Sequence, residues 1–168
     1  AENRELAMAR GATIRAEITG FAGNCSPRNL VYPDRQAIYD CMARCLDDAG
    51  ERPEDIGMVN AHATATVEGD RAEGGAIADL LGRSVPVCSL KGQLGHTMAA
   101  SGSLELIACL YMMRDGVVLP NHNLDNVGPG WGGVRLPVEA GSGPVDAGLK
   151  NGGALGGINA SLLLRRSG

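Results

Sequence analysis

Two stretches of the sequence have the same pattern: a short apolar strand is followed by a histidine and then by a predicted helix. In the first, residues 56–61 lead to His62, and in the second, residues 85–89 lead towards His96. A third stretch, residues 151–159, is rich in glycine. Open α/β sheets place their chemistry in the turns that follow the carboxyl ends of strands. The three stretches are therefore predicted to meet at one edge of a sheet, where two imidazoles can exchange protons or hydrogen bonds with one reacting group.

The rest of the chain alternates between helical and strand patterns. Helices are predicted over residues 1–11, 35–49, 70–81 and 101–114, and strands over residues 12–22, 56–61, 85–89, 134–138, 147–151 and 158–166. Residues 23–33 and 115–144 are predicted to be largely loops. The helix over residues 101–114 is apolar nearly all round and is expected to be buried. Helices and strands that alternate with long crossovers predict one layered α/β domain for a chain of 168 residues.

Composition and charge argue against several classes of protein. A net charge of about −4 gives a nucleic-acid partner no electrostatic support. No apolar run approaches the length of a membrane span, and the amino terminus has no signal-peptide pattern. The cysteines have neither metal-type nor redox-type spacing, which favours buried thiols in a reducing compartment and a cytoplasmic location. They are Cys25, Cys41, Cys45, Cys88 and Cys109.

His62 is the first candidate for a chemical role. It is followed by Thr64 and Thr66, whose hydroxyls would alternate with alanines on an extended segment. Asp70 and Glu73 then stand near a helix start, where carboxylates interact favourably with the helix dipole. Spacing alone leaves both a structural and a functional role open for this histidine.

His96 is the second candidate, and it has charged residues on either side. Lys91 precedes it and Glu105 follows it, so the two could form an ion pair behind the imidazole. A buried lysine without such a partner would be costly, and removing Lys91 would leave the Glu105 carboxylate alone. The alternative is an exposed salt bridge that contributes little to stability.

Other candidates are weaker. His122 lies in a loop with no acid or thiol nearby in sequence. Residues 152–157 look like a dinucleotide-binding loop, but such a loop must lead into a helix and this one leads into a strand pattern. A metal site built from His62 and His96 is disfavoured, because no helix offers two ligands one turn apart. No metal is therefore predicted.

Five motifs occur together in a fixed order. H-x-T-x-T-x-x-G-D-x-x-E begins at His62, K-x-x-x-G-H begins at Lys91, and A-x-G-x-x-E ends at Glu105. Asn-Leu-Asp at residues 123–125 and G-G-x-N at residues 156–159 follow. Together they resemble the decarboxylating β-ketoacyl-acyl-carrier-protein synthases, elongating ketosynthases of the thiolase-like superfamily. The resemblance runs over essentially the whole chain.

The resemblance implies a fold of two similar αβα halves stacked in five layers. This chain resembles the carboxyl-terminal half alone, a layered half-domain with a mixed five-stranded sheet. The amino-terminal half, with the nucleophilic cysteine, is expected to be absent from the chain, and the complete enzyme is expected to be a dimer.

The implied reaction is a decarboxylative Claisen condensation in fatty-acid or polyketide synthesis. A cysteine holds the growing acyl chain as a thioester, and malonyl carried on acyl carrier protein loses carbon dioxide. The resulting carbanion attacks the thioester. No permanently bound cofactor is implied; the phosphopantetheine arm of acyl carrier protein carries the substrate.

The resemblance also implies roles for particular residues. His62 and His96 would donate hydrogen bonds to an enolate oxygen. Lys91, paired with Glu105, would order the surroundings of His96, and the backbone N–H of Leu155 would form half of an oxyanion hole. The implied catalytic residues are His62, His96, Lys91 and Glu105, and the implied substrate-binding residues are Thr64, Thr66, Leu155 and Gly156.

The sequence departs from the family pattern in three places. It has no T-A-C-S turn for a nucleophile, and Gly153 and Leu155 replace the family's usual pair of phenylalanines. Ala63 replaces the usual glycine after the first histidine. The smaller residues predict a looser gate to the acyl pocket.

Two other classes of protein remain as alternatives. One is a non-catalytic partner subunit resembling a chain-length factor, which would not need His62, Lys91, His96 and Glu105 together. The other is a stand-alone α/β binding module, which would leave the histidine loops opening onto an uncovered apolar face.

Overall fold

The computed structural model of the chain describes residues 1–26 and 30–167. Its helices are α1 (Arg4–Ala9), α2 (Arg35–Ala49), α3 (Val67–Leu81), α4 (Lys91–Leu94) and α5 (Ser101–Asp115). Its strands are β1 (Ala16–Cys25), β2 (Met58–Asn60), β3 (Val87–Cys88), β4 (Val117–Val118), β5 (Gly141–Ser142), β6 (Ala147–Ala154) and β7 (Ile158–Arg166). Two short 3₁₀ turns cover Pro53–Asp55 and Met98–Ala100.

Five strands form one mixed sheet in the order β1-β7-β6-β2-β3. β7 pairs antiparallel with both β1 and β6, whereas β2 pairs parallel with β6 and β3. The predicted mixed five-stranded sheet is confirmed. β4 and β5 form a separate antiparallel pair.

Helices cover the two faces of the sheet unequally. α2 and α3 pack together on one face, over a core that includes Ile38, Met42, Leu46, Ile77, Leu149 and Leu163. α5 packs against β6 on the other face, over a smaller core that includes Met58, Cys109, Met112, Met113 and Leu164. The arrangement is a three-layer αβα domain whose second helical layer is only partly filled.

Helix α2 shows how local sequence sets an element. The Asp34 carboxylate accepts hydrogen bonds from the backbone N–H groups of Gln36 (2.9 Å) and Ala37 (3.3 Å), which caps the helix start. Gly50 ends the helix with a φ of 67°, a left-handed conformation that favours glycine. The predicted boundaries of this helix are confirmed.

Several other element predictions need correction. Residues 134–138 form no strand, because Pro137 has no N–H to donate and only one bridge forms, between Pro86 and Arg135. β1 begins and ends later than predicted, because its pairing with β7 starts at Ala16 and continues through Cys25. The predicted loop over residues 23–33 is partly this strand, and its residues 27–29 lie outside the described residues.

The expected complete burial of α5 is wrong. Leu104, Ile107 and Tyr111 lie on one side of the helix and are 40%, 49% and 53% exposed. On the strands, Phe21 and Ile158 are 58% and 51% exposed. No described element packs against these side chains on the α5 side of the sheet, so apolar surface remains open there.

Across residues 1–26 and 30–167, no helix has the combined length and apolarity needed to cross a membrane.

Candidate functional site

The two histidine loops meet at one edge of the sheet. His62 follows β2 and His96 follows β3, and these strands are parallel neighbours. The centroids of the two imidazole rings lie 5.6 Å apart, with the ring planes at 87° to each other. The predicted proximity of the two histidines is confirmed.

The backbone of the His62 loop is held by Glu73. The Glu73 carboxylate accepts hydrogen bonds from the N–H groups of His62 (2.8 Å) and Ala63 (2.7 Å) and from the Asn151 side chain (2.7 Å). Burial raises the pKa of Glu73, and these hydrogen bonds act in the opposite direction. The sequence pattern predicts only that Glu73 stands near a helix start and does not reveal this role, because the contact depends on how α3 packs beside β2 and β6.

The prediction of an extended segment after His62 is wrong. Ala63 and Ala65 have φ values of 31° and 63°, in the left-handed region. These two bends bring the hydroxyls of Thr64 and Thr66 within 3.3 Å of each other. The Asp70 carboxylate accepts the N–H of Ala65 (3.1 Å) and so fixes the loop.

The ring of His96 is oriented by its own loop and by the first turn of α5. The Nδ1 atom accepts the backbone N–H of Met98 (3.3 Å) and lies 3.1 Å from the hydroxyl oxygen of Ser101. A neutral ring that accepts a hydrogen bond at Nδ1 carries its proton on Nε2. His96 therefore presents an N–H donor on the side of the ring away from α5.

A buried ionic cluster lies behind the histidines. Lys91 Nζ is 2.7 Å from one carboxylate oxygen of Glu105, and both side chains are at most 8% exposed. The predicted shielded ion pair is confirmed. A second lysine, Lys150, was not predicted to take part, and its Nζ lies 2.7 Å from the other oxygen of Glu105.

The cluster determines the charge states around it. Burial acts to raise the pKa of Glu105, but hydrogen bonds and positive charge from Lys150 and Lys91 outweigh it and hold the pKa below its ordinary value. Burial lowers the pKa of His62 to about 4, and the positive charges of Lys91 and Lys150 act in the same direction. His62 is therefore a neutral imidazole near pH 7.

The glycine-rich stretch approaches the histidines at one residue. A Cβ atom added at Gly153 would lie 3.4 Å from Cδ2 of His62, so the backbone of β6 lies beside this ring. Leu155 and Gly156 lie farther along, in the turn between β6 and β7, and the Leu155 side chain is 72% exposed. The stretch leads into strand β7, as predicted, which excludes a dinucleotide loop.

A cleft opens beside the two histidine loops. The Asp70 carboxylate accepts the indole N–H of the buried Trp131 (3.2 Å), which joins the Thr64–Thr66 side of the cleft to the opposite loop. Among the residues lining the cleft are Thr64, Thr66, Lys91, His96, Asn121 and Trp131. Hydroxyl and amide groups thus alternate with apolar surface along its walls.

The thiols provide no activated nucleophile near this cleft. Burial raises the pKa of Cys88 to about 11 and the pKa of Cys45 and Cys109 to about 12, and it also raises the pKa of Cys41. Cys25 is exposed at the end of β1, where its Sγ lies 3.2 Å from the carbonyl oxygen of Gly156. Within the described part of the chain, no three His, Cys, Asp or Glu side chains are grouped so as to hold a metal ion.

Comparison with known proteins gives one consistent family. Residues 15–125 match the family described as "Beta-ketoacyl synthase, C-terminal domain". The chain is 36% identical to "3-oxoacyl-[acyl-carrier-protein] synthase I, chloroplastic" of Arabidopsis thaliana, over 95% of this chain and 34% of that protein. A crystal structure of a beta-ketoacyl synthase from Burkholderia phymatum STM815 superposes with a TM-score of 0.95 at 38% identity, over 99% of this chain and 41% of that one.

A second similar structure has a carrier protein bound. It is the structure of "AntDE:AntF (apo): type II PKS acyl-carrier protein in complex with its ketosynthase bound to the hexaketide". The TM-score is 0.93 at 28% identity, over 99% of this chain and 42% of that one. The chain thus spans roughly two fifths or less of the length of these proteins.

The matched residues include both histidines, Lys91 and Glu105, and the superpositions cover nearly the whole three-layer domain. The predicted thiolase-like αβα half-domain is confirmed by these superpositions. The chain belongs to the β-ketoacyl synthase family, as a carboxyl-terminal domain.

Proposed function

We propose that the chain is the carboxyl-terminal part of a β-ketoacyl-acyl-carrier-protein synthase that carries out decarboxylative Claisen condensation in fatty-acid or polyketide synthesis. The observation that carries this proposal is the edge contact of His62 and His96, at 5.6 Å between ring centroids, in front of a buried Lys–Glu–Lys cluster. The name of the Arabidopsis relative supports the reaction and acyl carrier protein as the substrate carrier.

The two imidazoles suit a reaction in which negative charge develops on a thioester oxygen. When malonyl thioester loses carbon dioxide, the electron pair of the broken C–C bond forms an enolate. The Nε2–H of His96 and an N–H of the neutral His62 would donate hydrogen bonds to its oxygen. The enolate carbon then attacks the acyl thioester carbonyl, a C–C bond forms, and the cysteine leaves as a thiolate.

The cleft suits a long, flexible substrate arm with amide groups. Thr64 and Thr66 place two hydroxyls 3.3 Å apart on its wall, where they would hold the phosphopantetheine arm of acyl carrier protein. The backbone N–H of Leu155 would form half of an oxyanion hole for the acyl thioester, and Gly156 would shape this turn through its N–H, which donates to the carbonyl oxygen of Leu30 (2.8 Å). Acyl carrier protein is the proposed partner, and no permanently bound cofactor is proposed.

The nucleophile would come from an amino-terminal half. The four buried thiols have raised pKa values, so none of them is suited to hold an acyl group. An amino-terminal half would also cover the apolar surface formed by Leu104, Ile107 and Tyr111 with the sheet, and the assembled enzyme is proposed to be a dimer. Five free cysteines, of which four are buried, support a cytoplasmic location.

A non-catalytic partner subunit, similar to a chain-length factor, is the second candidate. Such a subunit has no chemical need for two adjacent imidazoles with a neutral His62 and an oriented His96. The cost of burying two lysines and a carboxylate behind them favours the catalytic function.

The decisive experiment compares the chain alone with the chain assembled with an amino-terminal ketosynthase half. We expect no carbon–carbon bond formation from malonyl and acyl thioesters by the chain alone, and condensation after assembly. His62→Ala and His96→Ala should each remove condensation in the assembled enzyme, because each removes one donor to the enolate oxygen. Arg165→Met, on the exposed end of β7, is the matched control and should leave turnover unchanged.

The outcomes separate the candidates. Turnover by the chain alone that depends on Cys88 or Cys25 would contradict the proposed division of labour. Full activity of the assembled His62→Ala or His96→Ala enzyme would favour the partner-subunit function.

A further inference from the structure

Lys150 is a buried charged residue to which the proposed reaction assigns no role. Its side chain is 6% exposed and lies 2.7 Å from Oε2 of Glu105. The Nζ also donates to the carbonyl oxygen of Asn151 at 2.5 Å. The whole sequence has two lysines, Lys91 and Lys150, and both meet at Glu105. Burying this charge opposes folding unless it is paired, so its placement needs an explanation.

The position of Lys150 in β6 connects it to both histidine loops. Neighbouring residues of a strand point to opposite faces of the sheet. On one face, Asn151 donates to Glu73, which holds the backbone N–H of His62. On the other face, Lys150 holds Glu105. Two adjacent residues of one strand therefore bind the two buried carboxylates of the site.

Glu105 extends this connection to the second histidine. Its other oxygen binds Lys91, the first residue of α4, and α4 leads through Gly95 to His96. A continuous set of contacts thus joins β6 to α5 and to the His96 loop. Lys150 is the only member of this set that contacts Glu105 from the sheet.

We propose that Lys150 is a positioning residue of the histidine pair: by holding the second oxygen of Glu105, it fixes strand β6 and the His62 loop at one spacing from the Lys91–His96 segment. The inference rests on the proposed function, in which both imidazoles donate to one enolate oxygen. Misplacing a catalytic group by about 1 Å can slow a reaction by about 100-fold, so such a spacing matters for the rate.

Lys150 also contributes to the charge state of His62. The charged and titratable groups that face this histidine are Lys91 and Lys150, Glu105, and the neighbouring imidazole of His96. Glu73 binds its backbone. Burial and the two lysines lower the pKa of His62 to about 4, so loss of one lysine should raise that pKa.

The test compares Lys150→Met, which keeps the length and removes the charge, with Arg165→Met, which removes an exposed charge from the neighbouring strand. The chain has three histidines, so their ring resonances can be titrated individually by NMR in isotope-labelled protein. We expect the His62 pKa to rise and the His96 resonances to shift in Lys150→Met, with neither change in Arg165→Met. In the assembled enzyme, Lys150→Met should lower kcat for malonyl-thioester decarboxylation by about 10- to 100-fold with little change in KM.

Two further variants of Lys150 separate the effect of its charge from an effect on folding. Lys150→Arg retains the charge and should retain the low His62 pKa and recover part of kcat. Lys150→Gln repeats the charge removal if Lys150→Met does not fold. An unchanged His62 pKa together with an unchanged kcat in the charge-removing variant would show that Lys150 has no part in the site. If the wild-type assembly fails to decarboxylate malonyl thioesters, the proposed function fails, whereas the NMR comparison still tests the positioning.

Discussion

The Lys91–Glu105–Lys150 cluster predicts that loss of the Glu105 carboxylate lowers the free energy of unfolding more than loss of one lysine does. The wild-type cluster has two positive charges and one negative charge, all at most 8% exposed. Glu105→Gln leaves two buried ammonium groups and no anion between them. Lys91→Met leaves one ion pair with no net charge.

The contacts of Glu105 allow the destabilisation by the two variants to be compared. Breaking a buried ion pair so that a charge is left alone costs about 3–5 kcal/mol, which is the expected loss for Glu105→Gln. Lys91→Met removes one charge-assisted hydrogen bond, worth about 1.5–3 kcal/mol, and Lys150 still pairs with the carboxylate. Lys91→Met should therefore lower the free energy of unfolding by less than the value expected if Lys91 were the sole partner of Glu105.

Chemical denaturation at several pH values tests this ordering. The pKa of Glu105 lies below its ordinary value of 4.5, so its stabilising contribution is present above that pH and is lost as the pH falls through the lowered pKa. The free-energy difference between wild type and Glu105→Gln should therefore be constant from about pH 5 to 7 and shrink below about pH 4. Equal destabilisation by Lys91→Met and Glu105→Gln, or a difference that persists on acidification, would refute the reasoning.

Three further predictions concern single residues. Ala63→Gly should raise the free energy of unfolding by about 0.5–1 kcal/mol. The left-handed φ of 31° costs alanine about 1–2 kcal/mol, and the greater chain entropy of glycine in the unfolded state offsets part of that gain. A urea denaturation that shows no stabilisation would contradict this prediction. Gly157→Ala should destabilise the chain by about 2–3 kcal/mol more than Gly156→Ala, since both positions have positive φ but only the first would place Cβ 1.9 Å from the Ser26 carbonyl oxygen; equal denaturation midpoints would argue against that contact. A thiol reagent at pH 8 should modify Cys25 alone in the folded chain, because the other four thiols are buried, and a second fast-reacting thiol would show that the domain opens.

Much of the local structure could be predicted from sequence because its causes are local. Asp34 and Gly50 bound α2 through capping and a left-handed turn, which depend on a few neighbouring residues. Likewise, His62 and His96 each follow a short apolar strand, and the parallel pairing of those strands brings the rings together.

The missed features depend on how distant elements pack. Lys150 reaches Glu105 only because β6 pairs with β2 while α5 crosses the same face of the sheet. Glu73 meets the His62 loop for a similar reason, through the packing of α3. The exposure of Tyr111 and its neighbours was also missed, because an apolar pattern does not reveal whether a covering layer is present.

The pairing of the edge strand β1 with β7 limits the order in which the sheet can form. β1 is the first strand of the chain, yet its partner is β7, the last one, in a register that runs from Ala16 opposite Arg166 to Cys25 opposite Ile158. Contacts between segments so far apart in sequence require closure of a long loop, which slows folding. During synthesis β1 emerges before β7, and the backbone groups that it will pair with β7 stay unpaired until β7 has been made. Because α2 follows β1 in sequence and packs against it in the folded chain, early formation of the α2–β1 contact would shield β1 from pairing with other chains until β7 arrives.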